Sequence, residues 1–228
     1  KQAARDDVAV LVKVNMRDGF RGGHELDDSL VVMRTLEQEG ADALVLSGGF
    51  VSRAPMYIMR GGMPTRVMSQ GMPWWMRLGV RLFGRRLIPT LPYDQSYFLD
   101  DALEVRKAVK LPLIYVGGAA SRASIDRILE LGFDAVAMAR ALIADPAFVN
   151  RLAAEEAASS PCDHCNYCAA RIYTSSMACY QREPPAPAER PYDATGSRRH
   201  DAPRPRGDRR RSHERRLDRA PVLAALGG

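Results

Sequence analysis

The stretch Leu111–Pro146, LPLIYVGGAASRASIDRILELGFDAVAMARALIADP, decides the fold. An apolar run, Leu113–Val116, stops at a glycine pair, and a second apolar run, Ala135–Met138, follows an amphipathic segment that spans about Ser124–Leu131. Short strands without polar alternation are typical of parallel sheets covered by helices. The stretch therefore predicts a strand, a turn, a helix and a strand, with two strand ends that can hold one phosphate between them.

Two further strand and helix pairs precede this stretch. Apolar periodicity and glycine punctuation predict strands over Val8–Asn15 and Ala43–Ser47, and helices over Glu25–Glu39 and Leu99–Val109. After the last strand, a helix is expected from Asp145, as its N-cap, through Ala157. Repeated βα units predict a parallel sheet, which is either an open doubly wound sheet or a closed barrel. Because four strands alone leave two edges, we expect the second half of an eight-stranded α/β barrel.

An insertion at residues 50–97 interrupts the regular alternation. In its run PWWMRLGVRLFGRR, the side chains of Trp74, Trp75, Leu78 and Leu82 share roughly one helical face, and the arginines lie mostly off that face. This helix could be a lid or membrane-surface helix, or part of a substrate-side loop inserted after a barrel strand. The interpretation we favour is a helix that caps the core and keeps its arginines in water.

Composition separates a globular part from a basic tail. The chain has 228 residues, 46% of them hydrophobic, and a formal net charge of +6. Residues 182–228 are rich in arginine and proline and are expected to be disordered, because they have little apolar surface to bury. Since this tail supplies much of the excess charge, the charge does not predict a nucleic-acid partner.

The start of the chain and its hydropathy bear on location. We find no apolar run long enough to span a membrane and no signal peptide, so a cytoplasmic protein is expected. The chain enters a strand almost at once and has no initial methionine, so we expect it to begin inside a larger protein.

Candidate ligand groups lie at the ends of the predicted strands. Lys13 stands near the end of the first strand, where a lysine is expected to face an anionic partner. Gly117 and Gly118 can present backbone N–H groups to a phosphate, and Arg140 can add a permanently charged, bidentate fork. Together these residues predict a phosphate site after the last two strands.

Four phrases in the same order resemble the fifth to eighth barrel strands of the old yellow enzyme-type NADH:flavin oxidoreductases. They are VLVKVNMRDGFRGG, ADALVLSGG, LPLIYVGGAAS and FDAVAMARALIADPAFV, and the resemblance extends from Val8 to about Tyr180. It implies that residues 1–158 form the C-terminal half of an FMN-binding (β/α)8 TIM barrel, of about four βα units.

The resemblance also implies roles for particular residues. Lys13 would lie beside the pyrimidine end of the FMN ring and stabilise negative charge on the reduced flavin. The phosphate would be bound by Gly117, Gly118, Ala139 and Arg140. Ala139 replaces a glycine that the family commonly has before this arginine, and its backbone N–H is retained.

The implied activity is an NAD(P)H-dependent ene-reductase reaction. FMN reduced by NAD(P)H passes a hydride to an activated alkene or a related small electrophilic substrate. The catalytic acid and the anion pocket are expected upstream of Lys1, and His24 is only a loose candidate for the mouth of the active site. A homo-oligomer is compatible with this function. The alternative is a non-catalytic barrel fragment or interaction module with a basic tail.

All four cysteines lie in the extension at residues 159–181. They follow the pattern C-x2-C-x2-C-x10-C at Cys162, Cys165, Cys168 and Cys179. Their clustering indicates a metal site or ordinary thiols rather than disulfides. Relatives similar to 2,4-dienoyl-CoA reductase carry an iron–sulfur cluster at nearly this place, with one more residue between the second and third cysteines. Zinc, with His164 as a ligand, is the other metal alternative. We favour ordinary thiols.

Overall fold

The structure, a computed structural model, describes residues 8–88, 90–172 and 177–181. Contacts divide the chain into two units, residues 1–190 and 191–228, and the second unit lies wholly outside the described residues. The predicted disorder of residues 182–228 likewise falls outside them. All described residues belong to the first unit.

The described residues form an α/β fold around one parallel sheet. Its four strands lie in the order of the sequence, β1-β2-β3-β4, and every neighbouring pair is parallel. The strands are β1 (Leu11–Asn15), β2 (Ala43–Ser47), β3 (Leu113–Val116) and β4 (Ala135–Ala137). The helices are α1 (Leu26–Gln38), α2 (Pro55–Ile58), α3 (Thr65–Met68), a 3-10 turn (Ser69–Gly71), α4 (Trp74–Leu87), α5 (Leu99–Ala108), α6 (Arg122–Glu130), α7 (Arg140–Ala144), α8 (Phe148–Ala154) and α9 (Tyr167–Ala170).

The core lies on one face of the sheet. The side chains of Leu44, Leu46, Leu113 and Tyr115 alternate along β2 and β3 and are fully buried. They form one apolar cluster with buried residues of three helices, namely Met33 of α1, Ala102 and Val105 of α5, and Ile128 of α6. The period of two along each strand places these residues on a single face, so these helices cover that face.

The opposite face of the sheet is open within the described residues. The strand register places Lys13, Val45, Ile114 and Ala135 side by side across the four strands. Lys13 is exposed and the other three are only partly buried. A four-stranded parallel sheet in sequential order fits part of a Rossmann-type sheet as well as part of a TIM-type barrel.

The predicted bounds of several elements are confirmed. Strands β2 and β3 begin and end as predicted, and α1 lies between Glu25 as N-cap and Glu39 as C-cap. Glu25 and Asp28 form a capping box at its start. Gly40 follows with a φ of 82°, as expected of the glycine that ends a helix.

The predicted helix from Asp145 through Ala157 is wrong at its start. Asp145 is the C-cap of α7, and α8 begins only at Phe148 with Ala147 as its N-cap. The Asp145 carboxylate accepts the Ala147 N–H at 3.0 Å and pairs with Arg151 Nε at 2.9 Å. Asp145 therefore does not cap α8, and its carboxylate instead stabilises a local turn and forms an ion pair.

The prediction that helix α4 caps the core is also wrong. Trp74, Trp75, Leu78 and Leu82 are 76%, 61%, 51% and 64% exposed. Helical periodicity identified an apolar face correctly, but the described residues do not cover that face.

Two neighbouring residues of α6 test the one-sided core. Ile128 is fully buried, whereas its neighbour Leu129 is 42% exposed. Ile128→Ala should lower the free energy of unfolding by about 2–5 kcal/mol, because it leaves a cavity under the sheet. Leu129→Ala should change it by only about 0.5 kcal/mol, as is usual for surface positions. Urea unfolding of both variants measures this difference, and equal losses would contradict the assigned core.

Candidate functional site

The ends of β3 and β4 bring the predicted phosphate-binding residues together. Val116 pairs with Ala137, so the glycine pair after β3 and the residues after β4 lie at the same carboxyl edge. Gly117 and Gly118 have φ values of 139° and 80°, in the region that side chains rarely adopt. A Cβ on Gly118 would also lie 2.7 Å from Cδ1 of Tyr97. Both positions therefore require glycine.

Arg140 begins α7 at this edge and is fixed by two acceptors. Its Nη1 donates to the carbonyl oxygen of Arg60 and to Oδ1 of Asn166, both at 2.8 Å. Because both bonds come from one nitrogen, the guanidinium keeps donors for a further acceptor. A positioned guanidinium of this kind suits an anionic ligand such as a phosphate.

Aromatic side chains cover the edge. The hydroxyl of Tyr93 donates to the Gly118 carbonyl oxygen at 2.6 Å, and the ring of His164 stacks on the Tyr93 ring with centroids 3.3 Å apart. Burial raises the pKa of Tyr93 to about 12. Burial, together with the charge of Arg140, lowers the pKa of His164 to about 4. At neutral pH both side chains are therefore uncharged, and the cations beside them are Arg140 and Arg60, whose guanidinium lies 4.8 Å from the ring centroid of Tyr97.

Asn166 ties the cysteine-rich extension to this edge. It is 1% exposed and has a φ of 58°, a conformation that asparagine tolerates better than most residues. Its amide accepts from Arg140, and its Nδ2 donates to the carbonyl oxygens of Met59 at 2.7 Å and Gly62 at 2.9 Å. One side chain thus holds together the extension, the insertion and α7.

Sequence reasoning missed Asn166, Tyr93 and the Arg60 carbonyl as partners of Arg140. The asparagine within the motif CNYC was a usable signal, since asparagine is enriched at left-handed positions that end or begin turns. The two hydrogen bonds of Arg140 join residues 26 and 80 positions apart, and no local pattern encodes them.

Lys13 lies apart from Arg140. It sits on β1 and Arg140 follows β4, so three strand spacings, about 14 Å, separate their rows. Within the described residues Lys13 makes no ion pair and faces the open side of the sheet, so its anionic ligand stays a prediction. His24 lies in the loop after β1, where its backbone exchanges hydrogen bonds with Asp18.

The four cysteines are free thiols and are each partly buried. Within the described residues, no three or more cysteine, histidine or acidic side chains are grouped so that they could hold a metal. Burial raises the pKa of the Cys162, Cys165 and Cys168 thiols above their usual value. Since the thiolate is the nucleophilic form, these thiols are poorly reactive at neutral pH.

Three cavities are bordered by described residues outside this edge. One of about 890 Å³ is bordered by Asp145, Arg151 and Cys179, and one of about 810 Å³ lies between α3 and α4. A smaller one, of about 330 Å³, lies beside Phe20 and Arg53. Within the described residues, no helix has both the length and the hydropathy needed to cross a membrane.

Comparison with known proteins gives one informative similarity. The chain is similar to the 4,4'-dithiodibutanoate disulfide reductase of Rhodococcus erythropolis, with 39% identity over 175 residues. The aligned region covers 76% of this chain and 43% of that protein, so the chain spans less than half the length of this curated relative. No family model matches the chain.

Asn166→Gly isolates the contribution of the Asn166 amide, because glycine adopts the same backbone conformation without strain. The variant leaves Arg140 and the carbonyl oxygens of Met59 and Gly62 short of partners, so the free energy of unfolding should fall by about 1–3 kcal/mol. Asn150→Ala, at an exposed asparagine in α8, is the control and should be nearly neutral. Urea unfolding compares the two, and a neutral Asn166→Gly would contradict the bracing role.

The protonated state of the thiols gives a second test. Iodoacetamide should alkylate Cys162, Cys165 and Cys168 more slowly than it alkylates glutathione at neutral pH. Because burial raises the pKa of the three thiols, their alkylation rates should rise at a higher pH than the rate for glutathione. Mass spectrometry of the alkylated peptides measures each rate. Alkylation at the glutathione rate in folded protein would show that these thiols ionise normally.

Proposed function

We propose that this chain is the C-terminal half of a (β/α)8 barrel in an FMN-dependent NAD(P)H oxidoreductase. The observation that carries the proposal is the meeting of Gly117, Gly118 and Arg140 at the carboxyl ends of two adjacent parallel strands. In barrels of this type, phosphate sites commonly lie after the last two strands. The open face of the sheet supports the same proposal, because it is the face that the remaining strands of a barrel would enclose.

The residues at this edge fit the phosphate end of a flavin nucleotide. Arg140 retains donors after bonding Arg60 and Asn166, and the glycine turn permits close approach of a ligand to the backbone. The Ala139 backbone N–H would add to this set. Lys13 is the cation on the open face and would lie near the pyrimidine end of the ring. When bound, FMN would supply hydride transfer from NAD(P)H to an acceptor.

The acceptor we propose is a small electrophile, either an activated alkene or an organic disulfide. The disulfide is supported by the name of the similar R. erythropolis protein. Its reduction balances as NAD(P)H, one proton and RSSR giving NAD(P)+ and two RSH. The cysteines of this chain are poor candidates for an exchange relay, because burial keeps Cys162, Cys165 and Cys168 protonated. Hydride delivery from the cofactor is therefore the route we favour.

A flavin spectrum tests the proposal. The complete gene product that contains this chain should purify yellow, and Arg140→Ala should lower its affinity for FMN at least about tenfold, since a charge-assisted bond to phosphate contributes about 1.5–3 kcal/mol. Arg34→Ala removes an exposed arginine of α1 and is the matched control, which should retain FMN.

Riboflavin, which lacks the phosphate, should bind wild type and Arg140→Ala equally. If the complete gene product neither contains nor binds FMN, that result would contradict the proposal. It would favour the alternative of a non-catalytic barrel fragment or interaction module. Equal FMN affinity in wild type and Arg140→Ala would contradict the phosphate role alone.

A further inference from the structure

Helix α4 exposes a broad apolar face to solvent. Trp74, Leu78 and Leu82 form one i, i+4 row along the helix, and they are 76%, 51% and 64% exposed. Trp75 and Phe83, 61% and 58% exposed, widen the face. Single exposed apolar residues are ordinary, but a contiguous set that includes two tryptophans marks an interaction surface.

The helix is attached to the rest of the fold by its opposite side. Its contacts within the described residues run mainly to α3 and the 3-10 turn. Gly84 is buried, and a Cβ there would be in ordinary contact with Thr65 Cγ2 at 3.6 Å, so this side of α4 faces α3. The apolar row lies away from Gly84 and is exposed.

The segment that carries the apolar face has basic but no acidic residues. The sequence has no acidic residue between Asp42 and Asp94, whereas it has seven arginines there. On α4, Arg77, Arg81 and Arg86 are exposed, and no carboxylate of the described residues pairs with them. Arg77 instead donates to the carbonyl oxygens of Met72 at 2.9 Å and Gln70 at 2.5 Å.

The arginines stand where they can reach past the apolar face. Arg77 and Arg81 are three residues after Trp74 and Leu78, so they line one border of the row, and Arg86 lies on the other side of it. Long arginine side chains can place their charge at the phosphate level while apolar neighbours enter the acyl region. Tryptophan is enriched at this boundary of a bilayer.

We propose that α4 is an interfacial helix that docks the protein onto an anionic membrane surface. The helix lies in the plane of the interface, with the Trp74 row below the headgroups and the arginines among the lipid phosphates. A second copy of this chain is less complementary, because its own α4 surface is equally basic. The proposal does not depend on the flavin site.

Intrinsic fluorescence tests this proposal without a label. Trp74 and Trp75 are the two tryptophans of the chain, so all tryptophan emission comes from α4. With vesicles of phosphatidylcholine and phosphatidylglycerol, the emission should shift to the blue and be quenched by lipids brominated on their acyl chains. Neutral phosphatidylcholine vesicles should bind more weakly, and salt should weaken binding to the anionic vesicles.

Variants separate the two components of binding. Arg81→Gln with Arg86→Gln should lower the partition coefficient for anionic vesicles about 25-fold, since each basic residue contributes about fivefold there. Leu78→Ser with Leu82→Ser should lower it at least about tenfold for any vesicle. The control for the arginine variant is Arg34→Gln with Arg127→Gln, and the control for the leucine variant is Val31→Ser. These residues are exposed on α1 and α6, and both control variants should bind like wild type.

Two results would overturn the proposal. The first is a tryptophan emission maximum that stays at the wavelength of a solvent-exposed ring with every vesicle. The second is emission from this chain that is already blue-shifted in buffer and unchanged by lipid, because the face would then be covered by protein. Concentration-dependent blue shift without lipid would identify that cover as a second copy.

Discussion

The one-sided burial of the parallel sheet is the constraint on which the rest of the structure depends. Leu44, Leu46, Leu113 and Tyr115 are buried under the helices, while Val45 and Ile114, which alternate with them, are only partly buried. Because side chains alternate along a strand, this burial fixes the register of the sheet. It also places all strand ends at one edge, where the glycine turn and Arg140 meet. The candidate site is a consequence of that packing.

The pair of Asn166 and Arg140 gives the cysteine-rich extension a structural purpose. Asn166 is held in a left-handed conformation and bonds both Arg140 and the carbonyls of the insertion. His164, which is uncharged at neutral pH because its pKa is lowered, closes the same edge by stacking on Tyr93. The extension thus orients a guanidinium, and its buried thiols are not needed for that role.

What could be predicted from the sequence was local. β2, β3 and the capping of α1 follow from apolar runs, glycines and the Glu25–Asp28 box, all of which act within a few residues. The glycine pair and Arg140 were brought together as predicted because parallel order alone aligns strand ends. Helical periodicity showed that α4 has an apolar face, but whether that face is covered depends on its neighbours. The bonds of Asn166 likewise depend on residues about a hundred positions away.

The most direct test of the account is a crystal structure of the FMN-loaded complete gene product. We expect the FMN phosphate within about 3 Å of the Arg140 guanidinium and of backbone N–H groups in the Gly117–Gly118 turn. We also expect Val45 and Ile114 to point into a closed barrel, with Lys13 beside the ring. A phosphate bound elsewhere, or helices packed against the Val45 face of the sheet, would contradict the account.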